Sequence, residues 1–416
     1  MSGSLAGVQG WLGGAHLEAL AVRLWCGDGS PAIVTVGRLP EGFVELASYA
    51  VLPSPRFPQL LVPPYARTAR AALTAYSGLR RPRARHGRAA LAVALRLGGG
   101  PVLLRRRLTV GLPQGRPRGE GDQVVSELRV MAALGRQDVR LAVGVREPTT
   151  HFKPTLQVFL PPDQLVGFAK LGWNRATDDR VRTEVAALRQ VAARPAASFR
   201  APSVLDSRHD ESGEMSLVEP LPLDVRRHDP FFTPPRAQVM LDVAEMGQVS
   251  STTLAESRYV AALADRLRRL PPTGAVPECL ALLGRLAAES ATVSLRLGGW
   301  HGDLVPWNVA DHDDGLVIWD WEYYAPAAPV GFDLIHWFVQ GRFARGDLDL
   351  VHALGAAEQS AAPGLAELGL STAARIAVVS LYLLEICARE TELQLADPSM
   401  TSRWLSQVGP ALASRL

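Results

Sequence analysis

The sequence His301-Gly302-Asp303 is followed by Asn308, five residues after the aspartate. A turn-rich stretch, DHDDG, comes next, and then an apolar run over 316–319 delivers Asp320. A carboxylate and an amide set five residues apart on one loop can face a common cavity. One accepts a proton from an attacking hydroxyl while the other ligates a hard cation. Asp320 adds an anionic ligand for the same cation. Magnesium takes oxygen ligands, and usually only one or two carboxylates besides substrate phosphates. Upstream, Lys170 ends a strand-like run. Glu184 shares a helical face with Val181, Val185 and Leu188. A charge inside an apolar stripe needs a partner when buried. Lys170 is the candidate, and a surface ion pair is the plainer alternative. A lysine held by a glutamate can steady phosphates. Together these side chains are the parts of phosphoryl transfer: hydroxyl orientation, metal-bridged phosphates and a cation on the nucleotide.

The elements that must position these residues follow from periodicity. Over 121–222 the pattern predicts a helix at 123–134, strands at 140–145, 155–160 and 165–171 with a turn at 161–164, and a strand at 216–219. Thr177 is the expected N-cap of the helix that carries Glu184, with Asp178 and Asp179 in its first turn. From about 235 the spacing is helical, at 237–246, 253–270, 278–289, 333–340 and 371–395. The stretch around Asp303 and Asp320 interrupts it with short strands and turns. Lysine is nearly absent, with only Lys153 and Lys170 against a chain rich in Arg. A position that stays Lys under that bias fits a need for a compact ammonium.

Residues 1–120 read as a separate region, punctuated by Pro and Gly, with short amphipathic helices over 65–79 and 88–97. From Ala47 to Gly119 there is no Asp or Glu but there are fourteen Arg, more than the whole-chain net charge of +3, so the remainder is net acidic. Such a surface over 47–119 suits peripheral contact with an anionic membrane or an acidic partner. It equally suits a solvated arginine face. No zinc-finger, aromatic RNP or recognition-helix pattern accompanies the arginines, so no nucleic acid is expected.

The 416 residues suffice for a two-lobed enzyme with an appended piece, and the 47% hydrophobic share is normal for a globular core. No apolar run reaches membrane-span length. The first twenty residues lack a basic segment ahead of their apolar ones, so no secretory signal is expected. Cys26, Cys279 and Cys387 are scattered. This speaks against a disulfide framework or zinc site and for a reducing cytoplasm.

HGDLVPWN, then VIWDWE, then GFDL resembles the aminoglycoside phosphotransferase and choline kinase family. The resemblance covers about 140–395. It implies an α+β, two-lobed protein-kinase-like fold. Its parts would be a small β-rich N-lobe (121–222), a mainly helical C-lobe (223–416) and an additional N-terminal region (1–120). It implies a phosphotransferase that moves the γ-phosphate of ATP or GTP, with Mg2+, to a hydroxyl of a small molecule such as a sugar, an amino alcohol or an aminoglycoside. Asp303 is similar to the family's catalytic base, Asn308 and Asp320 to its metal ligands, and Lys170 and Glu184 to its strand lysine and helix glutamate. Val218, Glu219 and Leu221 sit where the family's linker holds adenine through backbone groups. His301 resembles the residue that braces the catalytic loop, and Asp333 a buried acid that caps the next helix. The glycine-rich phosphate loop is missing. Its place is taken by REPTTHF from Arg146, where Thr149, Thr150 or backbone N–H groups are the phosphate contacts to consider. Asp311, Asp313 and Asp314 read as turn formers, Glu322 as a structural or solvent-facing acid or else an extra metal ligand, and Trp307 and Tyr323 as acceptor-pocket walls. The alternative is a non-catalytic kinase-like scaffold or binding protein that works through its basic N-terminal region.

Overall fold

The structure, a computed structural model, describes residues 8–9, 14–116, 121–146, 149, 151–228, 233–347, 349–397, 405–413 and 415. Most of the first thirteen residues, together with Glu147, Pro148 and Thr150 of the candidate phosphate loop, lie outside the described residues. The chain divides into two compact units, 1–185 with 202–225, and 186–201 with 226–416.

The elements up to residue 193 are β1 (Val8–Gln9), α1 (Ala15–Leu24), β2 (Ile33–Val36), β3 (Phe43–Ser54), β4 (Phe57–Val62), α2 (Ala66–Thr74), α3 (Pro82–Arg96), α4 (Gly100–Leu103), β5 (Arg107–Pro113), α5 (Ser126–Leu134), β6 (Arg140–Gly144), β7 (Thr155–Leu160), β8 (Gln164–Leu171) and α6 (Arg175–Ala193). β9 (Phe199–Arg200) belongs to the second unit, and β10 (Val204–Asp210) and β11 (Gly213–Val218) complete the first. Among the described residues, ten strands form one sheet in the order β1-β2-β5-β3-β4-β6-β7-β8-β11-β10. The residues before 120 therefore do not stand apart. β4 pairs with β6 through Leu60–Gly144 and Leu61–Val143, which makes the first strands continuous with the lysine-bearing ones.

Alternation along the strands gives the sheet two apolar faces. Leu141, Val143, Leu156, Val158, Ala169 and Leu217 pack with Leu17, Leu20 and Leu24 of α1 and Val130 of α5. Ala142 and Phe159 on the other face pack with Ala69, Ala72 and Leu73 of α2 and Ala92 and Leu95 of α3. A buried carboxylate ties the first face together. Glu127 of α5 accepts from Trp25 Nε1 at 2.7 Å and from the Tyr49 hydroxyl of β3.

The helix bearing Glu184 starts two residues before its expected cap. Asn174 Oδ1 accepts the Thr177 N–H at 2.9 Å, and Thr177 Oγ1 accepts the N–H groups of Trp173 and Asn174. Asn174 is thus the cap and Thr177 its reciprocal partner, because an Asx side chain three residues ahead reaches the orphan N–H better.

The second unit holds β12 (Arg226–Arg227), α7 (Ala237–Met246), β13 (Ser250–Thr253), α8 (Arg258–Arg269), α9 (Val276–Glu289), β14 (Ser294–Trp300), β15 (Val309–His312), β16 (Gly315–Ile318), β17 (Ala325–Pro329), α10 (Phe332–Phe343), α11 (Leu350–Glu367), α12 (Thr372–Ala396) and α13 (Leu405–Ala413). Its strands form two small sheets, β12-β15-β16-β9 and β13-β14-β17. α8 and α12 begin at Ser257 and Ser371, whose hydroxyls accept the N–H groups of Val260 and Ala374. The fold class is α+β. No helix among the described residues is long and apolar enough to cross a membrane.

Candidate active site

β14 ends at Trp300 and hands the chain to His301-Gly302-Asp303. Gly302 has φ +83°, and a Cβ there would stand well inside van der Waals contact distance of the Tyr323 carbonyl oxygen, so only glycine fits. His301 is fully buried. Its Nδ1 accepts the Asp303 N–H at 3.2 Å and its Nε2 donates to the Trp319 carbonyl at 3.2 Å. Burial pushes its pKa down to about 4, so the ring is neutral at pH 7 and acts as a brace.

Asp333 lies in the first turn of α10, whose N-cap is Gly331. It does not cap that helix. Its carboxylate turns back to accept the N–H groups of His301 at 3.0 Å and Gly302 at 3.3 Å. The loop's N–H groups have no strand partner and are buried, so they outcompete the helix end for this acceptor. Burial lifts the Asp333 pKa to about 7 against those two hydrogen bonds.

Asp303 is held at both oxygens. Asn308 Nδ2 donates to Asp303 Oδ2 and to the Asp303 carbonyl, each at 3.0 Å. His336 Nε2 meets Asp303 Oδ1 at 3.2 Å, and its Nδ1 meets the Tyr382 hydroxyl at 2.9 Å. Burial lowers the pKa of His336 and raises that of Tyr382. A neutral imidazole that accepts from the tyrosine at Nδ1 and donates to Asp303 at Nε2 satisfies both contacts. Arg389 of α12 donates to the Gly302 carbonyl at 2.9 Å, with its guanidinium 4.6 Å from the Tyr323 ring centroid. His336, Tyr382 and Arg389 were not singled out by the sequence. The one available signal was His336 three residues after Asp333 on the same helix face.

Asp320 follows β16 and has φ +69°, a left-handed conformation uncommon outside glycine. Such backbone persists where the surroundings over-determine it, and it clusters at functional sites. Its charge acts on buried His301. Asn308 Oδ1 accepts no hydrogen bond among the described residues, because the amide nitrogen carries the loop contacts. Asn308 Oδ1 and the Asp320 carboxylate are oxygen donors of the kind Mg2+ takes. Among the described residues no group of three or more His, Cys, Asp or Glu could hold a metal ion. Of the turn acids, Asp311 pairs with His228 at 2.8 Å, Asp313 with Arg226 at 2.8 Å and Asp314 with Arg200 at 3.0 Å. Trp307, 46% exposed, stands beside the loop.

In the first unit, Lys170 Nζ meets Glu184 Oε1 at 2.7 Å, with side-chain exposures of 12% and 3%. This is a buried pair, not a surface one. Strand register puts Gln157, Phe168 and Ser216 on the same face as Lys170, since Lys170 stands opposite Thr155 and Ser216. Gln157 Oε1 and Ser216 Oγ are buried there without a hydrogen-bond partner. Glu219 donates its N–H to the Ser203 carbonyl at 2.8 Å, and the Leu221 carbonyl accepts from the Tyr76 hydroxyl at 2.9 Å. Val218 ends β11, buried.

No protein-family model and no curated protein sequence matches the chain. Solved structures do. A putative fructosamine-3-kinase from Haemophilus somnus 129PT aligns over 69% of this chain and 95% of its own, at 12% identity and TM-score 0.40. A thermostable mutant of aminoglycoside phosphotransferase APH(4)-Ia, in a ternary complex with ADP and hygromycin B, aligns over 70% and 98%, at 14% identity and TM-score 0.44. Choline kinase LicA from Streptococcus pneumoniae aligns over 62% and 90%, at 14% identity and TM-score 0.40. The likeness is to small-molecule kinases. At these identities and TM-scores it assigns no activity to this chain, and roles rest on the chain's own residues.

Proposed function

We propose that this protein is an ATP- or GTP-dependent phosphotransferase with a small-molecule hydroxyl as acceptor. Asp303 orients the hydroxyl and takes its proton. Lys170, steadied by Glu184, binds the α- and β-phosphates. The linker over 218–221 receives the base through the carbonyl of Glu219 and the N–H of Leu221, the backbone groups there not engaged with Ser203 or Tyr76. Asn308 Oδ1 and Asp320 would hold Mg2+, which supplies charge neutralisation on the β- and γ-phosphates. Trp307 and Tyr323 line the acceptor's side of the loop.

The observation that carries this reading is the double hold on Asp303. Asn308 and His336 fix both carboxylate oxygens. A non-catalytic scaffold gives no reason for orienting a 28% exposed carboxylate so closely. A positioned base, by contrast, must lie within hydrogen-bond reach of the proton it removes. The acceptor class is a sugar, an amino alcohol or an aminoglycoside-like polyol.

The test is thermal stabilisation of the full chain by ATP and by GTP, with and without Mg2+, repeated on Asp320→Ala. The reading expects a metal-dependent shift that the variant loses. No shift with either nucleotide at saturation sinks it. A panel of sugars, amino alcohols and aminoglycosides, read by ADP release, then identifies the acceptor.

A further inference from the structure

Three arginines of the first unit act on one another through their charges. Arg80 follows the short helical turn Ser77–Leu79, Arg88 lies within α3, and Arg146 lies just past β6. Burial, then the charges of Arg88 and Arg146, push the Arg80 pKa down to about 10. Burial and Arg146 lower that of Arg88. The charges acting on these two groups, among the described residues, include no carboxylate. Arg80 Nη2 donates to the Ala75 carbonyl at 3.3 Å, but Arg80 Nε and Arg88 Nη1 are buried without a partner. Buried donors and like charges of this kind are costly unless an anion meets them.

Their place in the fold gives the cluster meaning. α3 packs on the sheet face that carries Ala142 and Phe159. Ala142 stands opposite Gln157, and Gln157 opposite Phe168, so this is also the face of Lys170. Arg146 follows two residues after Gly144, where β6 ends. Val143 stands opposite Leu156, and the residue before Leu156, Thr155, is opposite Lys170. β6 itself lies two strand spacings, roughly 10 Å, from the lysine strand β8. Tyr76 links the Arg80 turn to the linker through the Leu221 carbonyl, and its ring lies 5.6 Å from Phe168.

We propose that Arg80, Arg88 and Arg146 form a binding site for a phosphoanion on the Lys170 face of the sheet. Planar guanidinium forks match the several oxygens of phosphate groups, and three of them suit a polyvalent anion. The buried Nε of Arg80 and Nη1 of Arg88 are out of reach of a flat membrane surface. The phosphate comes either from the nucleotide itself, in place of a glycine-rich loop, or from a second phosphorylated small molecule. The nucleotide source rests on the phosphotransferase reading above, and the anion site does not.

Calorimetric titration of the full chain with inorganic pyrophosphate tests the site. The same titration is run with and without a saturating non-hydrolysable ATP analogue and Mg2+. Wild type binds pyrophosphate. The double variant Arg80→Gln, Arg88→Gln weakens it at least tenfold. Arg146→Gln, at an exposed position that cannot disturb the core, weakens it several-fold and decides the matter if the double variant does not fold. Loss of pyrophosphate binding in the presence of the ATP analogue identifies the nucleotide as the source. Retained binding identifies a second phosphorylated molecule. No pyrophosphate binding to wild type, or equal binding to wild type and Arg146→Gln, overturns the proposal. Failure of the ATP analogue alone to bind, with pyrophosphate binding intact, counts against the phosphotransferase reading only.

Discussion

The loop from His301 to Asn308 and the Lys170 face of the sheet both bury polar groups, and they treat them in opposite ways. Around the loop, His301, Asp303, Asn308, Asp333 and His336 hydrogen-bond to one another or to backbone. On the sheet face, Gln157 Oε1, Ser216 Oγ, Arg80 Nε and Arg88 Nη1 are buried without partners among the described residues. A satisfied network fixes geometry, whereas buried groups left unpaired are costly and call for an explanation such as a ligand. On the proposed function the difference divides the labour: the loop would position a base and the sheet face would receive charge and hydrogen bonds from outside.

The largest effect should come from the satisfied side. Asp303→Asn should lower transfer by about 10³-fold, the scale of a positioned general base, with nucleotide affinity unchanged. Steady-state ADP release and a binding titration read the two halves. A loss under tenfold would mean Asp303 positions nothing that reacts.

Glu184→Ala should cost about 3 kcal/mol in urea unfolding, as expected for removing one member of a buried ion pair. A cost below about 1 kcal/mol would place Lys170–Glu184 with exposed pairs. Gly302→Ala should cost about 2 kcal/mol, since the left-handed backbone and the Tyr323 carbonyl both oppose a Cβ. A neutral result in the same assay would mean that the loop shifts freely, against its described hydrogen bonding.

The smallest effect is a pH dependence with two opposed parts. Asp333, raised from 3.8 to about 7, binds a proton in the fold that the unfolded chain releases. Its contribution therefore makes stability fall as pH rises from about 4 to 7. His301, lowered from 6.5 to about 4, stays neutral in the fold while the unfolded chain protonates. Its contribution rises with pH over about 4 to 6.5. Asp333→Asn removes the first slope. The stability of that variant relative to wild type should therefore climb with pH between about 4 and 7, as read from denaturation midpoints. A flat difference would show that Asp333 titrates alike folded and unfolded.

Much of the fold was legible because its signals are local. The helices at 237–246 and 371–395 fall almost where α7 and α12 begin and end, since apolar spacing is enough to place them. The pairing of Lys170 with Glu184 followed from a charge inside an apolar stripe. The joining of residues before 120 to the lysine-bearing strands was not legible. It depends on β4 meeting β6, a contact between positions more than eighty residues apart that no local pattern encodes. Asp333 was misplaced for a similar reason: a first-turn acid reads as a cap until buried N–H groups from a distant loop claim it.

By itself the sequence determined which groups are available: one motif with a carboxylate and an amide five apart, an aspartate after an apolar run, a lysine spared by an arginine bias, and a run without carboxylates from Ala47 to Gly119. Tertiary structure alone decided how they are used. It turned Asp333, His336 and Arg389 onto the loop and aligned Gln157 and Ser216 with Lys170. It also buried one donor each of Arg80 and Arg88 without a partner among the described residues. The physical reason is that composition sets charge and donor inventory, while burial and long-range register decide which of those groups lose water and what replaces it.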